Sequence, residues 1–126
     1  MKRSWFGFLL LLVILAIALT VTWVMEEIHR PVSQALREAA DLALMNDWNR
    51  AADAALRAKS SWQLWANVRL CFADHTPVEE IDSFFGELEA YRIEKETADF
   101  AAACLALKEK VDAVGQAHGL SLWNLL

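Results

Sequence analysis

Three histidines, two cysteines and a cluster of tryptophans are the side chains with chemistry to offer in this 126-residue sequence. His75 and Glu79 stand four apart, a separation at which one helical face presents an imidazole and a carboxylate to a metal ion or a proton in transfer. Pro77 falls between them, so the two need not share a face. The plainer role for His75 is electrostatic, beside the acidic helix start at Glu79 and Glu80, where a carboxylate neighbour favours the imidazolium. His29 and His118 are the other histidines. No H-E-x-x-H, no paired C-x-x-C, no phosphate loop and no serine in a nucleophile elbow is present. The expectation is a protein with no catalytic, metal-binding or cofactor-binding residue, and not an enzyme.

Cys71 and Cys104 fall on or near apolar stripes, where a cysteine behaves as a small hydrophobe. The alternative is a disulfide tying two helices, if the chain faces a compartment that permits one. Trp48, Trp62 and Trp65 recur at helical spacing and are core residues in the first instance. Trp62 and Trp65 lie three apart, so a well-packed domain leaves at most one of them well exposed. Together with Tyr91 they are also the candidates to line a small-ligand groove.

Those residues are carried by helices. Apolar types make up 56% of the chain and charged types 23%, which excludes disorder by composition, and four glycines and two prolines are too few for a turn-rich β fold. No charged residue occurs from Ser4 to Met25. That stretch is long enough to cross a hydrocarbon layer of about 30 Å as a helix. Trp5 and Trp23 bracket it about 27 Å apart, the placing of interfacial indoles. Lys2 and Arg3 precede it and Glu26 and Glu27 follow it, so the positive-inside rule puts residues 1–4 in the cytoplasm, 5–25 across the cytoplasmic membrane and the rest outside. The rival account is a signal peptide cleaved at Ala16-Ile17-Ala18. It leaves Leu19, Val21, Trp23 and Val24 on a greasy new terminus, and the uncleaved anchor accounts for the whole run. From Glu26 onward 10 Lys/Arg face 17 Asp/Glu, a net charge of −7 that repels nucleic acid.

Residues 26–118 read as four helices. Pro31 opens the first, to Met45, with Val32, Leu36, Ala39 and Ala43 on one face. Asn46-Asp47 breaks it and caps a second, Trp48 to Ala73, which shows Trp48, Ala51, Ala52, Ala55, Trp62 and Trp65 at helical spacing. Thr76-Pro77-Val78-Glu79 forms a capping box that starts a third, with Val78, Ile81, Phe85 and Leu88 along one side and Phe84 and Tyr91 beside them. The fourth, Lys95 to Gln116, carries Phe100, Cys104, Leu107, Val111 and Val114 in a 4-3-4-3 seam. Two αα-hairpins packed as an antiparallel, tetratricopeptide-like four-helix bundle follow. The step of about 45 residues between hairpins exceeds the 34 of tetratricopeptide repeats, and the glycine signature of those repeats is missing. Residues 119–126 form an apolar tail in which Leu122, Trp123, Leu125 and Leu126 cannot sit comfortably in water. It either folds back over the helices about a Gly119 hinge or docks on a membrane partner or the bilayer.

The segment Phe72–Tyr91, FADHTPVEEIDSFFGELEAY, and the ending Ser121-Leu122-Trp123-Asn124-Leu125-Leu126 resemble an uncharacterised family of short bacterial proteins, mainly from Firmicutes. Shared features are Phe72 ahead of His75, the acid-rich turn at Glu79, Glu80 and Asp82, a Leu-Glu-Ala-Tyr-like helix end, and a Ser-Leu-x-Asn-hydrophobic terminus. Trp123 departs from the pattern, since look-alikes tend to carry a polar residue there. The resemblance implies a single-pass anchor, an extracytoplasmic helical domain, and genes that often sit beside multi-pass membrane proteins. The function expected is therefore that of an interaction or accessory protein for another membrane protein. Its contacts would be the bilayer through Trp5 and Trp23, and a partner through the groove between the hairpins, the tail, Trp62 and Trp65. An extracytoplasmic small-ligand or sensor module is the alternative.

Overall fold

A computed structural model describes residues 2–67 and 75–125, with side chains at 2–67 and 78–116. Among these residues the secondary structure is entirely helical, in four segments: α1 (Lys2–Leu44), α2 (Trp48–Leu64), α3 (His75–Glu94) and α4 (Thr97–Leu125). The apolar N-terminal stretch and the first domain helix are thus one element of 43 residues, where the sequence suggested a break before Pro31. Pro31 lies inside it and removes one N–H, the usual donor to the Glu27 carbonyl. The site tolerates this because residues 27 and 30 face outward, where water reaches the carbonyl; their side chains pair at 2.6 Å.

α1 has two chemically different halves. From Trp5 to Val24 most of its large side chains are exposed, Leu15 and Val21 being half-buried, and it is long and apolar enough to cross a membrane. Thr20 and Thr22 donate back to the Ala16 and Ala18 carbonyls at 2.8 and 2.9 Å, which hides their hydroxyls within the apolar stretch. From Met25 onward the same helix turns inward at Ile28, Val32, Leu36, Ala39 and Ala43 to form a wall of the core.

Both hairpin turns have one construction. Asn46 and Lys95 adopt left-handed φ values of 62° and 54°. The N–H of Asn46 reaches the Ala43 carbonyl and that of Asp47 the Leu42 carbonyl, both at 2.9 Å. Lys95 and Glu96 repeat the pair with Arg92 and Tyr91 at 3.2 Å, so each turn is a Schellman motif that satisfies the last carbonyls of the preceding helix. Asp47 then caps α2 by accepting from the Arg50 N–H at 3.4 Å.

α1 and α4 lie antiparallel at the centre, α2 flanks α1, and α3 flanks α4. The α4 seam Phe100, Cys104, Leu107, Val111 and Val114 is buried throughout, as its spacing predicts. α2 meets α1 through Ala51, Ala54 and Ala58, so the buried face is rotated from the Ala51, Ala52, Ala55 face read from the sequence. At the turn end Trp48 packs edge-on against Phe100, ring centroids 5.3 Å apart. At the other end Trp62 meets His29 at 5.7 Å.

Two boundaries differ from expectation. α2 ends at Leu64 with Trp65 as its C-cap, and residues 68–74, over which the sequence carried the helix to Ala73, lie outside the described residues. α4 does not stop at Gln116 but runs helically through Gly115 and Gly119 to Leu125, so its backbone makes no hinge at Gly119. α3 begins at His75, which places Thr76 and Pro77 in its first turn. Their side chains and that of His75 lie outside the described residues, as do Cys71 and the side chains of His118, Leu122, Trp123, Leu125 and Leu126.

Candidate functional site

Because α2 packs on α1 and α3 on α4, the two outer helices approach each other only sparsely. Between them lies a groove of about 420 Å³. Its floor is Ala52, Ala55, Phe85, Leu88 and Phe100, and its rim is Asp53, Leu56, Lys59, Glu89 and Arg92. Leu56 stands out of the rim 63% exposed, on a helix that buries only three alanines and Trp62. The Arg92 Nε donates to Glu89 Oε2 at 2.9 Å, and a second guanidinium nitrogen donates to Oε1. That bidentate bond holds the Glu89 carboxyl below the usual carboxylate range, with Lys59 adding to the effect. The groove is therefore apolar at its base and edged by two cations and two anions, a surface suited to an amphipathic segment.

One end of the groove is closed by a polar tie. Trp62 is 1% exposed, and its Nε1 donates to Asp82 Oδ1 on α3 at 2.7 Å. Trp65, the C-cap of α2, is 39% exposed. The pair thus divides into one core and one surface residue. Tyr91 is half-buried against the core.

A second polar cluster bridges α1 and α4. Ser33, four residues beyond His29, donates its hydroxyl to Asp112 Oδ1, and Lys108 donates to the other carboxylate oxygen at 2.9 Å. His29 is buried, with Nδ1 2.6 Å from the Met25 carbonyl. A carbonyl only accepts, so Nδ1 carries a proton. His29, Ser33 and Asp112, with Glu26, Arg30, Gly115 and Gln116, line a cleft of about 190 Å³. Serine, histidine and aspartate are all present here, but the bonds are not those of a nucleophilic relay. In such a relay the acid orients the imidazole and the imidazole takes the serine proton. Here the acid holds the serine and a backbone carbonyl holds the imidazole. The sequence hid this cluster because Asp112 meets Ser33 only through the fold.

Cys104 is a buried free thiol, and burial pushes its pKa up to about 12, so it is a packing residue and not a nucleophile. Among the described residues no group of three His, Cys, Asp or Glu is placed to hold a metal ion. Trp5 and Trp23 both face outward on the apolar half of α1. What fold and site define is an all-α domain that shares its first helix with a stretch able to span a membrane. No protein-family model, curated protein or solved structure matches the chain.

Proposed function

We propose that the chain is a single-pass protein of the cytoplasmic membrane with its N-terminus inside, whose helices form an antiparallel, tetratricopeptide-like bundle outside. It acts there as a non-enzymatic accessory subunit of another membrane protein. The observation that carries this is the groove between α2 and α3, with its apolar floor, charged rim and outstanding Leu56. Because it sits on a domain continuous with the anchor, it meets partners held in the same membrane. An amphipathic helix of the partner would lay its apolar face on Phe85 and Leu88 and pair its charges with Lys59, Arg92, Asp53 and Glu89.

The test is site-specific photo-cross-linking in cells from Leu56 and, as a control on the far side of the domain, Asp41. A single membrane-protein adduct from position 56 that is absent from position 41 supports the accessory role. The same pattern from both positions, or none from either, removes it. The groove volume also falls within the ~300–1,000 Å³ of small-ligand sites, which gives a second occupant for the same place. A Leu56→Trp variant that shows ligand-dependent fluorescence without any protein adduct would favour that occupant.

A further inference from the structure

The end of the domain nearest the apolar half of α1 carries a second unexplained feature. Leu64, the last residue of α2, and Trp65, its C-cap, are 73% and 39% exposed. Their height follows from the ring contact between Trp62 and His29, which sets residue 62 level with residue 29 of α1. α2 runs antiparallel to α1, so residue 65 lies about 4.5 Å closer to the apolar half, and Trp23 lies about 9 Å closer. Leu64 and Trp65 therefore stand only a few ångströms above the height of Trp23, at the base of the domain.

α4 goes further in the same direction. Gly115 lies against His29, where an added Cβ would come 3.6 Å from the His29 Cβ. Ten more helical residues to Leu125 advance about 15 Å along the antiparallel path, to the height of Leu19 in α1. Both helices lose their charges toward this end. α1 has no Asp, Glu, Lys or Arg from Ser4 to Met25, and α4 has none after Asp112. By register Glu26 and Glu27 are level with residues 117–118, and below that plane both helices are uncharged.

We infer that the base of the domain is a lipid-contacting surface. Residues 121–125 of α4 enter the outer leaflet alongside α1, and Leu64 and Trp65 rest in the headgroup layer. This rests on α1 crossing the bilayer. The partner is the membrane itself, since the apolar segment is continuous in height with the stretch of α1 that meets lipid. The anchored domain then touches the membrane at three points instead of hanging from one.

Nitroxide accessibility in the full chain tests this, in phospholipid nanodiscs and a Cys71→Ser background that leaves Cys104 buried. Labels go at Leu19→Cys, Leu122→Cys, Trp65→Cys and Glu109→Cys. The expected result is that position 122 loses nickel-chelate collisions and gains oxygen collisions as position 19 does, while 65 is intermediate and 109 is aqueous. Position 122 reading like 109 while 19 reads as lipid would overturn the insertion and leave the anchor standing. Shielding of 122 from both reagents would also overturn it, in favour of packing on protein. An aqueous position 19 would remove the membrane-spanning helix and the insertion with it.

Discussion

Gly115 offers a measurable check on how α1 and α4 meet. It is buried within α4, where a glycine ordinarily costs about 0.5–1 kcal/mol relative to alanine because its unfolded chain is freer. An added Cβ would lie 3.6 Å from the His29 Cβ and 3.7 Å from its Cγ and Nδ1. Those are ordinary van der Waals distances, so Gly115→Ala should fit without moving the imidazole. The full propensity gain should then appear, about 0.5–1 kcal/mol, or a Tm rise of roughly 2–8 °C for a domain of this size. A valine at the same place has to find room for two more carbons against a ring already fixed by the Met25 carbonyl, and should cost about 1–3 kcal/mol. Gly86 is the control, with nothing within 4 Å of its added Cβ, and Gly86→Ala should gain by propensity alone. The assay is far-UV circular dichroism on thermal unfolding of the full chain in detergent micelles. A lower Tm for Gly115→Ala beside a higher one for Gly86→Ala would refute a close but unstrained contact between α4 and His29.

Ser33→Ala should cost about 1–2 kcal/mol, since it removes a hydrogen bond to a charged acceptor, and Ser33→Thr should recover part of it; urea titration reads both. Trp62→Phe keeps most of the buried ring and loses the bond to Asp82, so a loss of about 1 kcal/mol is expected in the same assay. Cys104 gives a pH signature. The folded protein keeps its thiol protonated up to about 12, whereas an unfolded cysteine ionises near ~8.5. Unfolding therefore releases a proton in that window, and stability falls as pH rises through it, by about 1.4 kcal/mol per pH unit. Cys104→Ala should flatten this part of the alkaline slope, and an unchanged slope would contradict the burial argument.

Much of the helical pattern follows from residue order, and the exceptions have physical causes. The α4 seam was legible because 4-3-4-3 spacing on a long helix leaves one face to bury. The turn at Asn46-Asp47 was legible because capping chemistry is local, whereas the left-handed turn at Lys95 was not, since the fourth helix was expected to start there. Pro31 misled because the rule that starts a helix at proline assumes no helix before it, and here an apolar helix arrives already formed. The rotated face of α2 was hidden because five alanines offer several equivalent stripes, and only the close approach to α1 selects Ala51, Ala54 and Ala58. The groove was visible only as a space between hairpins. Its lining comes from three helices, and nothing local marks Leu56 or Arg92 as neighbours of Phe85.

The unbroken passage of α1 from its exposed apolar half into the core makes the helix a shaft. Each residue of a helix turns the next by about 100°, so the azimuth of Trp23 is geared to that of Leu36 and Ala43 inside the domain. In the proposed membrane-spanning arrangement, a neighbour that rotates the apolar half of α1 turns the groove by the same angle. Only the hydrogen bond missing at Pro31 offers a place for torque to be lost. Adding one residue between Met25 and Pro31 would leave the composition of both halves intact while swinging the groove by more than a quarter turn relative to whatever grips the anchor.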